Sequence, residues 1–326
     1  MTGLRPPPRQ ETPSRILFRI VLLVVLVVAA GTAIWTEVTR DRIGLIEDVS
    51  LDELDIRPIV TTTGARLNVV RQGEGAVPVV LLHDADVAGG VTWDGVVEGL
   101  DPRFAVMRVD LPGFGLSERV PEEGSRHTVA SMAEEVSDVI RQAYGDGVVI
   151  AGVGLGGEVG AEIAATQPSL VSGLVMVDVD FYKPDGWVEL VEKLPWVGTA
   201  ATYALETAGP LAANRWAPNC ESGGWCPTSS QIAARDLAET IVGTSESLRA
   251  FRRTPAASQV PSKLGDISVP TQYLWSEAGN VPRESVDRVQ EAMPGAAFEV
   301  VPEAWRADLD SPEKVAAAIL SLAPQG

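Results

Sequence analysis

The chain has 326 residues, 21% of them charged and 45% hydrophobic. These are ordinary values for a folded protein, and they exclude wholesale disorder, collagen and a pure membrane bundle. Asp and Glu number 44 against 26 Lys and Arg, and the net charge of −18 repels phosphate backbones, which disfavours nucleic-acid binding. There are two histidines, His83 and His127, so a histidine base or histidine metal cluster has few places to form. No metal and no cofactor are expected.

The stretch from Ile16 to Trp35, ILFRIVLLVVLVVAAGTAIW, carries one charge, Arg19, near enough to its start to reach lipid headgroups. At ~1.5 Å per helical residue it is long enough for a ~30 Å hydrocarbon core. Arg5, Arg9, Arg15 and Arg19 precede or open it, whereas Glu37, Asp41, Glu47 and Asp48 gather behind it. That asymmetry predicts residues 1–15 in the cytoplasm, a single-pass anchor over 16–36 in the cytoplasmic membrane, and the folded body outside. The alternative is a cleaved signal peptide, with Gly31, Thr32 and Ala33 as the cleavage site. Both readings export the body. Cys220 and Cys226 bracket a short Gly-bearing loop and can close as a disulfide in that compartment; two free thiols are the alternative.

Residues 37–57 are polar and acidic and read as a tether. A hairpin is predicted over Ile59 to Val70, turning at Gly64 and Ala65. The apolar runs Pro78 to Leu82, Val148 to Ala151, Leu174 to Val179 and Thr271 to Trp275 suit strands buried on both faces. Between them, Val129 to Gln142 and Val159 to Gln167 look helical, so strands and helices alternate as in a doubly wound, mostly parallel α/β sheet. The core is thus expected over 58–181 and 266–326. A helix-rich insertion over 182–265 interrupts it and carries Trp187, Trp196, Trp216 and Trp225. Pro312 to Leu322 reads as a terminal amphipathic helix with Pro at a favoured first position.

Three motifs in this order, VVLLHDAD (79–86), RVDLPGFGLSE (108–118) and VVIAGVGLGG (148–157), resemble the α/β-hydrolase superfamily, in particular its lid-bearing esterase and epoxide-hydrolase-like branch. The resemblance runs from about Ile59 to the C-terminus and makes the 182–265 insertion a lid. It implies a nucleophile on a G-x-S-x-G strand-to-helix turn, yet the chain reads Gly152-Val153-Gly154-Leu155-Gly156, with Gly154 in the nucleophile's place. The acid's position falls on Gly279, beside Glu277, and Trp305 replaces the histidine in the stretch 304–312. None of Gly154, Gly279 and Trp305 can do the triad's chemistry. The oxyanion loop reads His83-Asp84, and amides near Ala85 and Leu155 would form an anion-receptive corner that the Asp84 carboxylate opposes. His83 is expected to shape the loop, and His127 to lie at the surface or near a helix cap.

The implied function is a membrane-anchored, extracytoplasmic hydrolase-like protein without catalysis, whose cleft and lid bind a lipid or other apolar ligand, or which docks an envelope protein. In the bland alternative the lid tryptophans only pack against the core. A second reading is an active esterase or epoxide hydrolase with relocated residues, drawn from Glu158, Glu277, Glu303 or Asp308. A third takes Gly152, Gly154 and Gly157 as a dinucleotide-binding G-x-G-x-x-G, with Asp178 or Asp180 as its acid.

Overall fold

Alternate residues of the apolar runs face opposite sides of one sheet, and both sides are covered. Val80, Leu82, Ile150, Leu174 and Met176 join one buried cluster, while Val79, Leu81, Val149, Ala151, Val175 and Val177 join another. This two-sided burial is why the strands read as continuous apolar segments. The computed structural model describes residues 23, 27, 30, 31, 34, 47–120, 126–183, 220, 224–254 and 259–323.

The strands are β1 (Ile59–Val60), β2 (Arg66–Leu67), β3 (Val69–Gln72), β4 (Val77–Leu82), β5 (Phe104–Val109), β6 (Val148–Val153), β7 (Val171–Val177), β8 (Thr271–Ser276) and β9 (Ala297–Val301). Seven of them form a sheet in the order β3-β5-β4-β6-β7-β8-β9. β3 pairs antiparallel with β5 at one edge, and every other pairing in this sheet is parallel. The mostly parallel α/β sheet expected from the sequence is present. The hairpin is shorter than expected: only β1 and β2 pair with each other, and Val69 onward leaves to join the main sheet. The apolar positions of β3 find a larger partner in β5 than the two-residue ribbon offers.

The helices are α1 (Asp94–Glu98), α2 (Val129–Ala143), α3 (Leu155–Thr166), α4 (Ser229–Thr240), α5 (Thr244–Arg253), α6 (Arg283–Ala292), α7 (Ala307–Asp310) and α8 (Pro312–Leu322). Met132, Val136 and Ile140 of α2, with Val159 and Ile163 of α3, cover one face of the sheet. Val96 of α1 and Val315 and Ile319 of α8 cover the other. Helix α3 starts at Leu155, four residues before the expected start, because its first turn is the glycine-rich segment itself. Helix α8 has the bounds read from its sequence.

Of the apolar stretch 16–36, only Leu23, Val27, Ala30, Gly31 and Ile34 are described, each helical and exposed; the rest lies outside the described residues. Among the described residues no helix is long and apolar enough to cross a membrane. The acidic segment is docked where it is described: Glu47 accepts from the Gly243 and Ser245 amides at 3.0 and 2.7 Å. Val49 makes a parallel bridge to Ile241. Within the 182–265 insertion, residues 184–219, including Trp187, Trp196 and Trp216, lie outside the described residues. Cys220 and Cys226 form a disulfide with Cα atoms 4.8 Å apart, so the free-thiol alternative does not hold.

Candidate functional site

The candidate site lies at the carboxyl ends of β4, β6, β7 and β8, beside the strand-order reversal at which parallel sheets of this kind place their ligands. Gly154 makes the turn from β6 into α3 with φ 50° and ψ −117°. A side chain is strained in that conformation. The space beside it is filled: a Cβ on Gly154 would lie 2.1 Å from Asp84 Oδ1 and 2.4 Å from its Cγ. The same Oδ1 accepts from the Leu155 amide at 3.0 Å. A carboxylate reaching over from the β4 loop therefore sits where a nucleophile's side chain would stand, and it takes the first amide of the helix. Of the expected corner of His83, Asp84, Ala85 and Leu155, the Leu155 amide is taken by Asp84, so the chain itself supplies the anion there.

His83 holds that loop in place. Its Nδ1–H donates to the Asp84 carbonyl at 2.5 Å, and its Nε2 accepts from the Leu111 amide at 2.9 Å. Asp84 O also accepts from the Asp86 amide at 2.6 Å, closing a tight turn. With both ring nitrogens used and the ring fully buried, His83 has no lone pair left for proton abstraction. His127 just precedes the N-cap Thr128, as the capping expectation has it, but at 3% exposure it is buried and not at the surface.

At the acid's position the loop has closed on the glycine. A Cβ on Gly279 would lie 2.7 Å from Trp305 O and 3.0 Å from Ser276 O, so a carboxylate-bearing residue does not fit there without movement. Glu277 is exposed. Trp305 is half-buried, and its amide donates to Asp310 Oδ2 at 2.9 Å. Asp310 Oδ1 accepts from the Trp225 amide at 3.0 Å, joining the disulfide-closed loop to the segment that bears Trp305. Of the other relocation candidates, Glu158 lies in the first turn of α3 and Glu303 is exposed. Asp308 is buried and takes a two-pronged hydrogen bond from Arg306, at 3.1 and 2.6 Å. Burial works against the Arg306 charge, but the carboxylates of Asp308, Asp84 and Asp86 outweigh it and raise the guanidinium's pKa, so Arg306 stays cationic beside the plugged turn.

Two groups take roles that the sequence reading did not give them, Asp178 having been named there only as a dinucleotide-binding acid. Asp178, directly after β7, has φ 50° and accepts from the Ser276 amide at 2.6 Å, the Ser276 hydroxyl at 2.7 Å and the Ala307 amide at 3.1 Å. It ties together the ends of β7 and β8 and the start of α7. Burial pushes its pKa up to about 6 against the pull of those three donors. An acidic residue ending an apolar strand run was the visible signal. Arg119 donates to Thr244 Oγ1, to the carbonyls of Ser117, Phe114 and Gly115, and to Ala238 O. It pins lid helices α4 and α5 to the turn after β5, and burial lowers its pKa to about 10 despite nearby Asp110 and Glu47. No pattern in the sequence announces that contact.

The dinucleotide alternative does not fit. The spacing of Gly152 and Gly157 answers to packing, since a Cβ on the first would lie 2.3 Å from Gly156 O and one on the second 2.2 Å from Val179 Cγ2. A pyrophosphate approaching the start of α3 would meet the Asp84 carboxylate on the amide it needs.

A family model described as the alpha/beta hydrolase family matches residues 79–318. A pimeloyl-[acyl-carrier protein] methyl ester esterase of Yersinia pseudotuberculosis is 36% identical over 117 residues, which is 35% of this chain and 42% of that esterase. The chain thus spans about two fifths of the length of the curated relatives it matches. Among solved structures, an esterase from Thermogutta terrifontis superposes with a TM-score of 0.62 at 21% identity, over 82% of this chain and 97% of the other. The epoxide hydrolase CorEH does so with 0.65 at 20% identity, over 82% and 97%. At these identities the likeness is one of fold.

Proposed function

The chain belongs to the alpha/beta hydrolase family, and from that premise we propose that its cleft holds a ligand without running the family's hydroxyl-nucleophile chemistry. The observation that carries this reading is the Asp84 carboxylate, hydrogen-bonded to the Leu155 amide in the space a nucleophile's side chain would fill beside Gly154. A tetrahedral intermediate needs that amide for its developing negative charge, and here a fixed negative charge already uses it. His83 is spent on the loop, and Trp305 cannot take a proton. The ligand is an apolar molecule such as a lipid, with docking of an envelope protein as the alternative occupant. The body is carried outside the cytoplasmic membrane by residues 16–36, supported by the length and apolarity of that stretch and by the disulfide.

The relatives favour a second reading, in which the chain is an active hydrolase whose reactive group comes from another position. The group with the best claim is again Asp84. With Oδ1 held by the Leu155 N–H, Oδ2 would attack an epoxide carbon, the ring C–O bond would break, and the alkoxide would take a proton from water. Water adding to the carboxyl carbon of the resulting ester would then release the diol and regenerate the carboxylate.

One experiment separates the readings. The purified full chain and its Asp84→Ala variant are assayed with nitrophenyl butyrate and styrene oxide, labelled with a fluorophosphonate probe, and run for a single turnover in ¹⁸O-water. The first reading expects no turnover above the protein-free control and no probe adduct. Epoxide turnover lost in Asp84→Ala, with ¹⁸O entering the Asp84 peptide, would establish the second. Native mass spectrometry after gentle extraction tests the ligand: a lipid that co-purifies reproducibly supports the apolar occupant, and its repeated absence favours the protein one.

A further inference from the structure

The chain has two cysteines in all, and the disulfide between Cys220 and Cys226 uses both. Any response of the protein to thiol exchange therefore begins at this bond. Cys226 is exposed and Cys220 half-buried, so a thiolate can approach from solvent. What the bond holds is specific. The Trp225 amide, next to Cys226, donates to Asp310 Oδ1 at 3.0 Å. The other oxygen of that carboxylate accepts from the Trp305 amide at 2.9 Å and the Arg306 amide at 3.2 Å. Asp310 is thus oriented from two sides, by the residue beside the disulfide and by the segment that carries Trp305. That segment borders the candidate site: the Ala307 amide donates to Asp178 at the end of β7, and Trp305 O closes on Gly279.

We propose that the Cys220–Cys226 disulfide is a redox-sensitive latch on residues 305–310: its reduction by a dithiol frees the Trp225 amide from Asp310 and loosens the Trp305 and Arg306 amides beside the candidate site. A thiolate of the dithiol attacks the Cys226 sulfur, forming a mixed disulfide and releasing Cys220 as a thiolate. The dithiol's second thiolate then attacks its own sulfur in the mixed disulfide, closes the dithiol into a disulfide and releases Cys226. Two electrons pass to the chain, and the two cysteines take up the two protons that the dithiol gave up. With the ring of residues 220–226 opened, the freedom that Cys226 gains weighs against keeping its neighbour's N–H on Asp310. The carboxylate turns toward water, which competes for it with the two amides. The latch acts in the same way whether the site binds a ligand or hydrolyses one, so its test stands apart from that question.

The test uses the full chain in lipid nanodiscs, reduced with dithiothreitol, alkylated with iodoacetamide and compared with the oxidised chain by hydrogen exchange and mass spectrometry. Both cysteines should be alkylated without denaturant. Peptides covering 304–311 should then exchange roughly three- to tenfold faster, with α2 unchanged. Reoxidation with glutathione disulfide in place of alkylation should restore slow exchange. Asp310→Ala removes the shared acceptor, so its exchange over 304–311 should be fast with the disulfide intact and gain nothing more on reduction. Should Asp310→Ala fail to fold, the reduced and reoxidised wild-type chain carries the test alone. A disulfide that resists dithiothreitol in the folded chain, exchange over 304–311 that reduction leaves unchanged, a full response to reduction in Asp310→Ala, or equal acceleration in α2 would each overturn the proposal. The last of these would make the bond a brace on the whole fold.

Discussion

A serine introduced at position 154 would meet two obstacles that differ in kind. The first is backbone conformation, because φ 50° with ψ −117° costs a residue bearing a Cβ about 1–3 kcal/mol. The second is the Asp84 carboxylate, 2.1 Å from where that Cβ would be. Gly154→Ser is therefore expected to lower unfolding stability by more than the backbone cost alone. Adding Asp84→Gly should return part of the loss, and urea unfolding of the two single variants and the double should show a favourable coupling of ~1 kcal/mol or more. Additive losses would mean that the two residues do not compete for space. Asp178 provides a pH-dependent counterpart. Its pKa is raised from 3.8 to about 6, so the folded chain binds this proton more tightly than the unfolded chain does. Its contribution to stability then falls as pH rises from about 4 to about 6, by a total on the order of 3 kcal/mol. Other carboxylates add their own slopes, so the measurement is the difference between wild type and Asp178→Asn across that range. The difference should shrink with rising pH, and a constant difference would show that Asp178 is not perturbed. At this scale the glycine of G-x-G-x-G and the Ala304-Trp305 pair can be read directly from the sequence. The sequence does not declare what stands beside that glycine, since Asp84 and Leu155 are 71 positions apart and meet only through the packing of β4 beside β6.

Elements were legible in proportion to how much of their burial is local. Strands β4, β6 and β8 and helices α2 and α8 lie within a residue or two of their expected bounds, because period and end signals are written in consecutive positions. The start of α3 was misjudged by four residues, since its first turn is made of residues chosen for close approach and not for helix propensity. The Ile59 to Val70 hairpin forms but ends at Leu67 for a related reason: the β-branched pattern states that strands form but not which strands pair, and β5 competes successfully for Val69–Gln72. The lid helices show the same limit. No pattern in SSQIAARDLAET or TSESLRAFRR names the partners on which they dock: Arg119 and Glu47 come from distant segments, and Gln231 within the first donates to Val91 O at 3.1 Å. Replacing Arg119 by Met leaves the buried carbonyls of Gly115 and Ala238 without this donor and is expected to cost at least ~2 kcal/mol. Glu47→Ala removes an acceptor at the start of α5 and should cost about 1 kcal/mol. Hydrogen exchange followed by mass spectrometry should show faster exchange over 229–253 in both variants, more so for Arg119→Met, with α2 unchanged. Uniform acceleration across α2 as well would mean that the lid unfolds only together with the core.

At the scale of the whole molecule, a hydrolase scaffold, an acidic surface and an apolar N-terminal stretch are combined in one chain. The acidic segment behind that stretch reads as a plain spacer in the sequence, with its charges and lack of apolar period. From Glu47 it is instead bonded to the lid, through Glu47 to the start of α5 and through Val49 to Ile241. For a body held at a bilayer by residues 16–36, ten positions, 37–46, would separate that stretch from Glu47. Fully extended, they reach roughly 35 Å. Undoing the Glu47 and Val49 contacts would free the chain as far as Asp52, which pairs with Arg66, and lengthen that leash by roughly half. If residues 16–36 do hold the body at a bilayer, the contacts of Glu47 and Val49 with the 241–245 segment would also set how far the glycine turn can swing from the lipid surface.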